Sequence, residues 1–156
     1  LVRKAVALLE ILVNKQVQQT TQEKQANTSS TSQTLFNLKL LAYERIILFI
    51  ERIKPDSFIP RTLSPSLPYQ EYQLFLINEI RKEFEYNLSQ QLYLSENAWE
   101  VTVNFKDNII TLINSAATSC PPQATASDLA RKILEHYISS DLKGDQILKI
   151  VKAEIQ

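Results

Sequence analysis

Glycine is almost missing from this chain of 156 residues, which contains only Gly144. Loops that cradle a phosphate need several glycines, because only glycine lets backbone amide groups close around the anion. The composition therefore argues against a phosphate-binding loop and against a dinucleotide-binding fingerprint. It argues equally against most folds that depend on tight β-hairpins.

Cysteine and histidine occur once each, and methionine does not occur at all. A zinc site built from cysteine and histidine needs about four ligands, so that class of site is excluded. Cys120 has no partner in the chain for a disulfide, which is compatible with a reducing compartment and favours the cytoplasm. We therefore expect no disulfide, no metal and no cofactor.

A charge bias is also missing, since 17 lysines and arginines balance 17 aspartates and glutamates. The basic residues are scattered and adjoin one another only in pairs such as Arg81-Lys82 and Arg131-Lys132. A neutral chain exerts no long-range attraction on a phosphate backbone. We therefore expect no nucleic-acid partner.

Hydrophobic residues make up 44% of the chain, and they recur mostly at the spacing of amphipathic helices. These features predict an all-α fold, a helical bundle of five to six helices with one long central helix. We expect an N-terminal helix over residues 1–25 and the helical bundle domain over residues 35–156. Serine, threonine and asparagine fill residues 26–34, and because their side chains compete for backbone hydrogen bonds we expect a flexible polar linker there.

Prolines divide the first half of the bundle. Its first helix is predicted over residues 35–54 and ends at Pro55, and an irregular proline-rich connection follows to residue 68. The long central helix is predicted over residues 68–94, with Pro68 in its first turn.

Capping residues divide the second half. Ser95 is the predicted N-cap of a helix that reaches residue 119. Thr125 and Asp128 have the spacing of a capping box and open the next helix. Gly144 suits a helix C-terminus, with Asp145 as the N-cap of a last short helix.

A seven-residue repeat on the helix of residues 35–54 is the first candidate site. The triplets Glu44-Arg45-Ile46 and Glu51-Arg52-Ile53 place both isoleucines on one seam, with the arginines beside it. This pattern is typical either of an edge that recruits a partner helix or of a core helix with a solvated charged face. Two repeats are too few to establish a coiled coil, and we favour the core helix.

Three aromatic residues, Phe75, Tyr86 and Tyr93, cluster on a second face of the predicted central helix. A helix with two apolar faces either lies at the centre of a bundle or presents one face to another chain, and we favour the central position. If the aromatic face is exposed, it forms with Arg45 and Arg52 the predicted partner-binding face.

Two acidic residues on the same helix, Glu79 and Glu83, are four positions apart and share a face. Di-metal bundles combine such carboxylates with a Glu-x-x-His motif, which this sequence lacks. An enzyme with a carboxylate or metal site around these two residues is therefore the alternative to a binding function. His136 is better explained as a surface or half-buried residue than as a ligand, and no residue is assigned a catalytic or cofactor-binding role.

Two stretches carry a resemblance to known proteins. They are LAYERIILFIERI at residues 41–53 and EFEYNLSQQLY at residues 83–93, followed by Ala98-Trp99-Glu100. Over roughly residues 38–153 the chain resembles an uncharacterised family of bacterial proteins from the Bacteroidetes group. The resemblance implies a helical domain of unknown function, usually preceded by one N-terminal membrane helix, and it supplies no functional residues.

The first residues agree with that implication. The chain begins Leu1-Val2-Arg3-Lys4, and a basic pair is typical of the cytoplasmic edge of a membrane helix. We predict a non-enzymatic protein-interaction domain, in the cytoplasm or tethered at the cytoplasmic face of the inner membrane. A structural homo-oligomer is the remaining alternative, because the apolar stripe from Val2 to Val13 is broad for an isolated amphipathic helix.

Overall fold

The structure, a computed structural model, describes residues 2–155. Six α-helices, one 3₁₀ helix and no β-strand make up this part of the chain, which confirms the predicted all-α helical bundle. The helices are α1 (Val2–Ile53), α2 (Pro55–Thr62), α3 (Tyr69–Tyr86), the 3₁₀ helix (Leu88–Tyr93), α4 (Glu96–Thr118), α5 (Ala126–Ser139) and α6 (Gly144–Ala153).

The chain divides into two compact units, Leu1–Leu38 and Lys39–Gln156. In the first unit, all of residues 2–38 are helical and exposed to solvent. Residues 2–25, predicted as a separate helix, belong to α1, which continues to Ile53, and Leu1 lies outside the described residues. None of the helices in residues 2–155 combines the length and the apolarity that a membrane crossing requires.

Residues 26–34 are helical, which differs from the flexible linker predicted for them. The threonine hydroxyls explain the difference, because each donates to the carbonyl four residues earlier instead of competing with the helix. Thr28 Oγ1 lies 2.8 Å from Lys24 O, and Thr31 Oγ1 lies 2.8 Å from Asn27 O. Hydroxyls that bond back in this way are compatible with an exposed helix.

The second unit contains the hydrophobic core. α3, α4 and α5 pack on one another, α6 packs on α4, and α2 packs on α5. Four large aromatic side chains are buried among them and on the end of α1: Phe49, Phe58, Tyr72 and Phe105. The polar core residue Thr102 is satisfied, since its hydroxyl donates to Ala98 O at 2.7 Å.

The predicted central helix of residues 68–94 is wrong in its extent, because α3 ends at Tyr86 and a 3₁₀ helix follows. Asn87 causes the break. Its side-chain amide donates to Glu83 O at 2.8 Å, satisfying a carbonyl that a continuing helix would have used. The proline-rich connection also differs from the prediction, because it contains α2, with Pro55 in the first turn, where proline is favoured.

Two predicted caps are confirmed. Ser95 Oγ accepts a hydrogen bond from the Ala98 amide at 3.0 Å and opens α4. The capping box of Thr125 and Asp128 opens α5, with the Thr125 amide 3.0 Å from Asp128 Oδ2. Hydrogen bonds from the Thr125 amide and hydroxyl lower the pKa of Asp128.

Gly144 begins a helix instead of ending one, and Asp145 lies inside α6, so both predictions for these residues were wrong. Glycine suits this position because the Lys54 side chain passes very close to the backbone. A Cβ at residue 144 would lie 2.6 Å from Lys54 Cγ and closer still to Cδ. The buried Lys54 side chain crosses over Gly144 and reaches two carboxylates, with Nζ 3.0 Å from Asp145 Oδ1 and 3.2 Å from Glu51 Oε2. Burial by itself lowers the pKa of Lys54, but its carboxylate partners outweigh burial and raise it above its ordinary value.

Replacing Gly144 with alanine is expected to destabilise the domain by about 1–3 kcal/mol, the usual cost of an extra methyl group in filled space. In an unhindered helix the same change would stabilise by up to about 1 kcal/mol, so the sign of the effect tests the contact. Denaturant unfolding measures it.

The control is the same substitution in a Lys54→Ala background. Without the lysine stem, Gly144→Ala should cost nothing or should stabilise the helix. An equal loss in both backgrounds would contradict the assignment of the clash to Lys54.

Candidate functional site

A groove of about 750 Å³ opens on the surface of the second unit, between the end of α1 and the C-terminal half of α3. Four charged residues singled out from the sequence line it: Arg45, Arg52, Glu79 and Glu83. Its lining residues are Arg45, Leu48, Phe49, Arg52, Glu79, Lys82, Glu83, Glu85, Tyr86 and Asn87.

The wall from α1 is basic. Arg45, Leu48 and Arg52 follow one another at helical spacing and are exposed, while Ile46 and Ile50 on the opposite face are buried in the core. The Leu48 side chain is 54% exposed. This wall therefore presents one apolar side chain between two guanidinium groups.

The wall from α3 is acidic. It contains three carboxylates, from Glu79, Glu83 and Glu85, and one ammonium group, from Lys82. At the C-terminal end of α3, the Tyr86 ring is 80% exposed. The two walls thus carry opposite net charges, and each also offers an apolar group to a ligand.

Aromatic contacts join α1, α3 and α4 beside the groove, and one of the rings, Phe49, lines it. The Phe84 ring packs against Phe49 of α1 with centroids 5.9 Å apart, and it stacks on Trp99 of α4 at 5.4 Å. Lys106 Nζ lies 4.1 Å from the centre of the Phe84 ring, a cation–π geometry. These ring contacts fix the position of α3 relative to α1, and so they fix the distance between the two walls of the groove.

An ion pair crosses the base of the groove. Arg52 donates to Glu83 Oε1 from Nε at 3.0 Å and from one terminal nitrogen at 2.7 Å, and this hydrogen bond and charge raise the pKa of Arg52. Arg61 lies 4.0 Å from the same carboxylate oxygen and donates to the Arg52 carbonyl at 2.9 Å. Glu83 is therefore engaged by two guanidinium groups.

This arrangement bears on the alternative of a metal or carboxylate enzyme at Glu79 and Glu83. One carboxylate oxygen of Glu83, Oε1, is already engaged by Arg52. Within residues 2–155, no three acidic, histidine or cysteine side chains are grouped closely enough to hold a metal ion. The geometry offers this alternative no support.

The groove brings together three of the five residues of the predicted partner-binding face, namely Arg45, Arg52 and Tyr86. Phe75 lies outside the groove lining, but it is 43% exposed on α3, the helix that also carries Tyr86. The preferred interpretation, in which this aromatic face is buried at the centre of the bundle, therefore does not hold for Phe75 or Tyr86. Tyr93 is half-buried in the 3₁₀ helix. The break at Asn87 removes it from the register of α3, on which its grouping with the other aromatics depended.

Sequence reasoning missed Leu48 and Lys82 as site residues. Two helical stripes could have revealed them. Leu41, Arg45, Leu48 and Arg52 have spacings of four, three and four residues, and so have Phe75, Glu79, Lys82 and Tyr86. Such a stripe covers one face of a helix, so these positions share an outward side.

A family model described as a family of unknown function (DUF7935) matches residues 2–156. The chain belongs to this family. The match includes the first unit, which lay outside the region of resemblance inferred from the sequence motifs. No curated protein and no solved structure matches the chain. The family match agrees with the expectation that the chain belongs to a family of unknown function. The bacterial group and the membrane helix remain predictions.

We expect the Arg52–Glu83 pair to contribute a coupling free energy of about 0.5–1 kcal/mol, because Arg52 is half exposed and solvent weakens the attraction. A double-mutant cycle of Arg52→Ala and Glu83→Ala measures it by denaturant unfolding. High salt should reduce the coupling.

The matched control is the cycle of Arg45→Ala and Glu83→Ala, since Arg45 lines the same groove without bonding to Glu83. That cycle should be additive within experimental error. Additivity in both cycles would show that the Arg52–Glu83 pair contributes nothing to stability.

Proposed function

We propose that the unit Lys39–Gln156 is a protein-binding module that docks an amphipathic helix of a partner protein in the groove between α1 and α3. One observation carries the proposal: the groove exposes Leu48 and Tyr86 between walls of opposite charge. Exposed apolar groups with a charged rim are typical of protein-interaction sites.

The spacing of the wall residues supports a helical occupant. Each wall presents side chains at steps of four, three and four residues, so each forms a continuous ridge along its helix. A partner helix with apolar residues at the same spacing could place them between the two ridges. Helices commonly bind in grooves in this way, with anchors one turn apart.

The side chains at the groove are also of the types that contribute most to binding. Tyrosine and arginine are enriched among the residues that dominate interface energetics. Burying an exposed side chain such as Leu48 or Tyr86 contributes roughly 1.5–3 kcal/mol. Arg45 forms no ion pair within residues 2–155, so its charge is available to a partner.

A photoreactive phenylalanine analogue at position 86 would identify the partner in the cells that produce the protein. Position 138 provides the matched control, because Ile138 is 78% exposed on α5 and lies outside the groove. The proposal requires a defined protein crosslinked from position 86 and not from position 138. Equal crosslinking from both positions, or none, would overturn it.

We expect Tyr86→Ala to weaken binding of the purified partner at least about tenfold, since an exposed aromatic anchor is lost. Ile138→Ala, which removes an equally exposed side chain, should leave the affinity unchanged. Both variants should keep the wild-type melting temperature because neither residue is part of the core. Isothermal titration calorimetry and thermal unfolding test the pair, and equal affinities for the two variants would count against the groove.

A second candidate function concerns the first unit. Apolar side chains at Val2, Leu9, Leu12 and Val17 are between 59% and 77% exposed. We also propose that this apolar stripe mediates self-association, because an apolar helix face is stable in water only when another surface covers it.

Deleting residues 1–25 should lower the oligomeric mass measured by light scattering. An unchanged mass would rule out assembly through this segment. Binding of the whole chain to phospholipid vesicles, lost on the same deletion, would instead support the predicted attachment to a membrane surface.

A further inference from the structure

We infer that the partner in the groove is a second copy of this chain, bound face to face so that α1 of each copy lies over α3 of the other. The inference rests on the proposed function of the groove and names its occupant. It is carried by the distribution of charge between the two walls.

The α1 wall carries two positive charges, from Arg45 and Arg52. The α3 wall carries three negative charges and one positive charge, for a net charge of −2. A two-fold axis through the groove places each basic wall on the acidic wall of the partner, and it does so twice. A face-to-face dimer uses the same patch on both subunits, so a patch with two oppositely charged halves is complementary to itself.

The charges that remain available within one copy fit this arrangement. Arg45 on the α1 wall forms no ion pair within residues 2–155, and neither do Glu79, Lys82 and Glu85 on the α3 wall, so the unpaired charge is positive on one wall and net negative on the other. Arg45 lies on the wall opposite Glu79 and Glu85, and within one copy no ion pair joins it to either of them. A second copy related by the two-fold axis supplies each of them with an opposite charge.

The apolar groups fit as well. Leu48 on one wall and Tyr86 on the other are exposed, and the two-fold axis buries both of them twice. Leu41 and Phe75, which are 52% and 43% exposed, extend the two stripes beyond the groove lining. These side chains enlarge the face toward the roughly 800 Å² per partner that a stable interface buries.

The test exchanges charges between the walls. Arg45→Glu removes the net positive charge of the α1 wall, and Glu85→Arg removes the net negative charge of the α3 wall. Each variant alone should associate at least about 100-fold more weakly than the wild type, because the reversed side chain meets charges of its own sign at both junctions of the dimer. An equimolar mixture of the two variants should associate nearly as well as the wild type, since both junctions again pair opposite charges.

Sedimentation equilibrium measures the dissociation constants. Both residues are exposed, so circular dichroism and melting temperature should match those of the wild type. Glu135→Arg on α5, an exposed charge reversal outside the groove, is the control and should leave association unchanged.

A wild-type chain that is monomeric at about 100 μM, or a mixture that fails to restore association, would overturn this inference. The photoreactive residue at position 86 separates its failure from failure of the proposed function. Crosslinks to a different protein would overturn the second-copy assignment and support the proposed function. Failure to crosslink any protein would overturn both.

Discussion

The contact of Phe84 with Phe49 on one side and Trp99 on the other is the interaction on which the candidate site depends. It joins α1, α3 and α4 beside the groove, at centroid distances of 5.9 and 5.4 Å. Aromatic pairs at such distances contribute about 0.5–1.5 kcal/mol beyond their buried area, and they fix the relative position of their helices. The helices that carry the exposed groove residues are therefore already held in position, so a partner binds without the entropic cost of ordering them.

The charged residues of the groove have two different roles: some form an internal ion pair, and others are free to contact a partner. Glu83 is bonded to Arg52 and lies close to Arg61, so its role is internal and concerns how α1, α2 and α3 are held together. Arg45 and Glu85, in contrast, contact no opposite charge within residues 2–155. Exposed charges of this kind steer association and disfavour partners that place like charges against them. The same helices therefore carry a structural ion pair and a recognition surface side by side.

The features that could be predicted from the sequence are those fixed by local chemistry. Ser95 and Thr125 cap helices through groups within three residues of themselves, and both were identified. Gly144 was misassigned because its neighbour in space, Lys54, lies 90 positions away in the chain. The groove was found only in part for the same reason. Arg45, Arg52 and Tyr86 were recognised on separate helices, but periodicity alone does not show that two helices lie side by side.

The ion pair between Lys54 and Asp145 has a consequence for how the fold forms. The two residues are 91 positions apart, so the lysine is placed at the end of α1 long before its acidic partner is synthesised. Until α6 reaches it, this ammonium group is covered by neither Gly144 nor Asp145. Contacts between residues so far apart form late, because the intervening chain must be ordered before they repay their entropy. Lys54 therefore has both of its carboxylate partners only when α6 is docked on the rest of the unit.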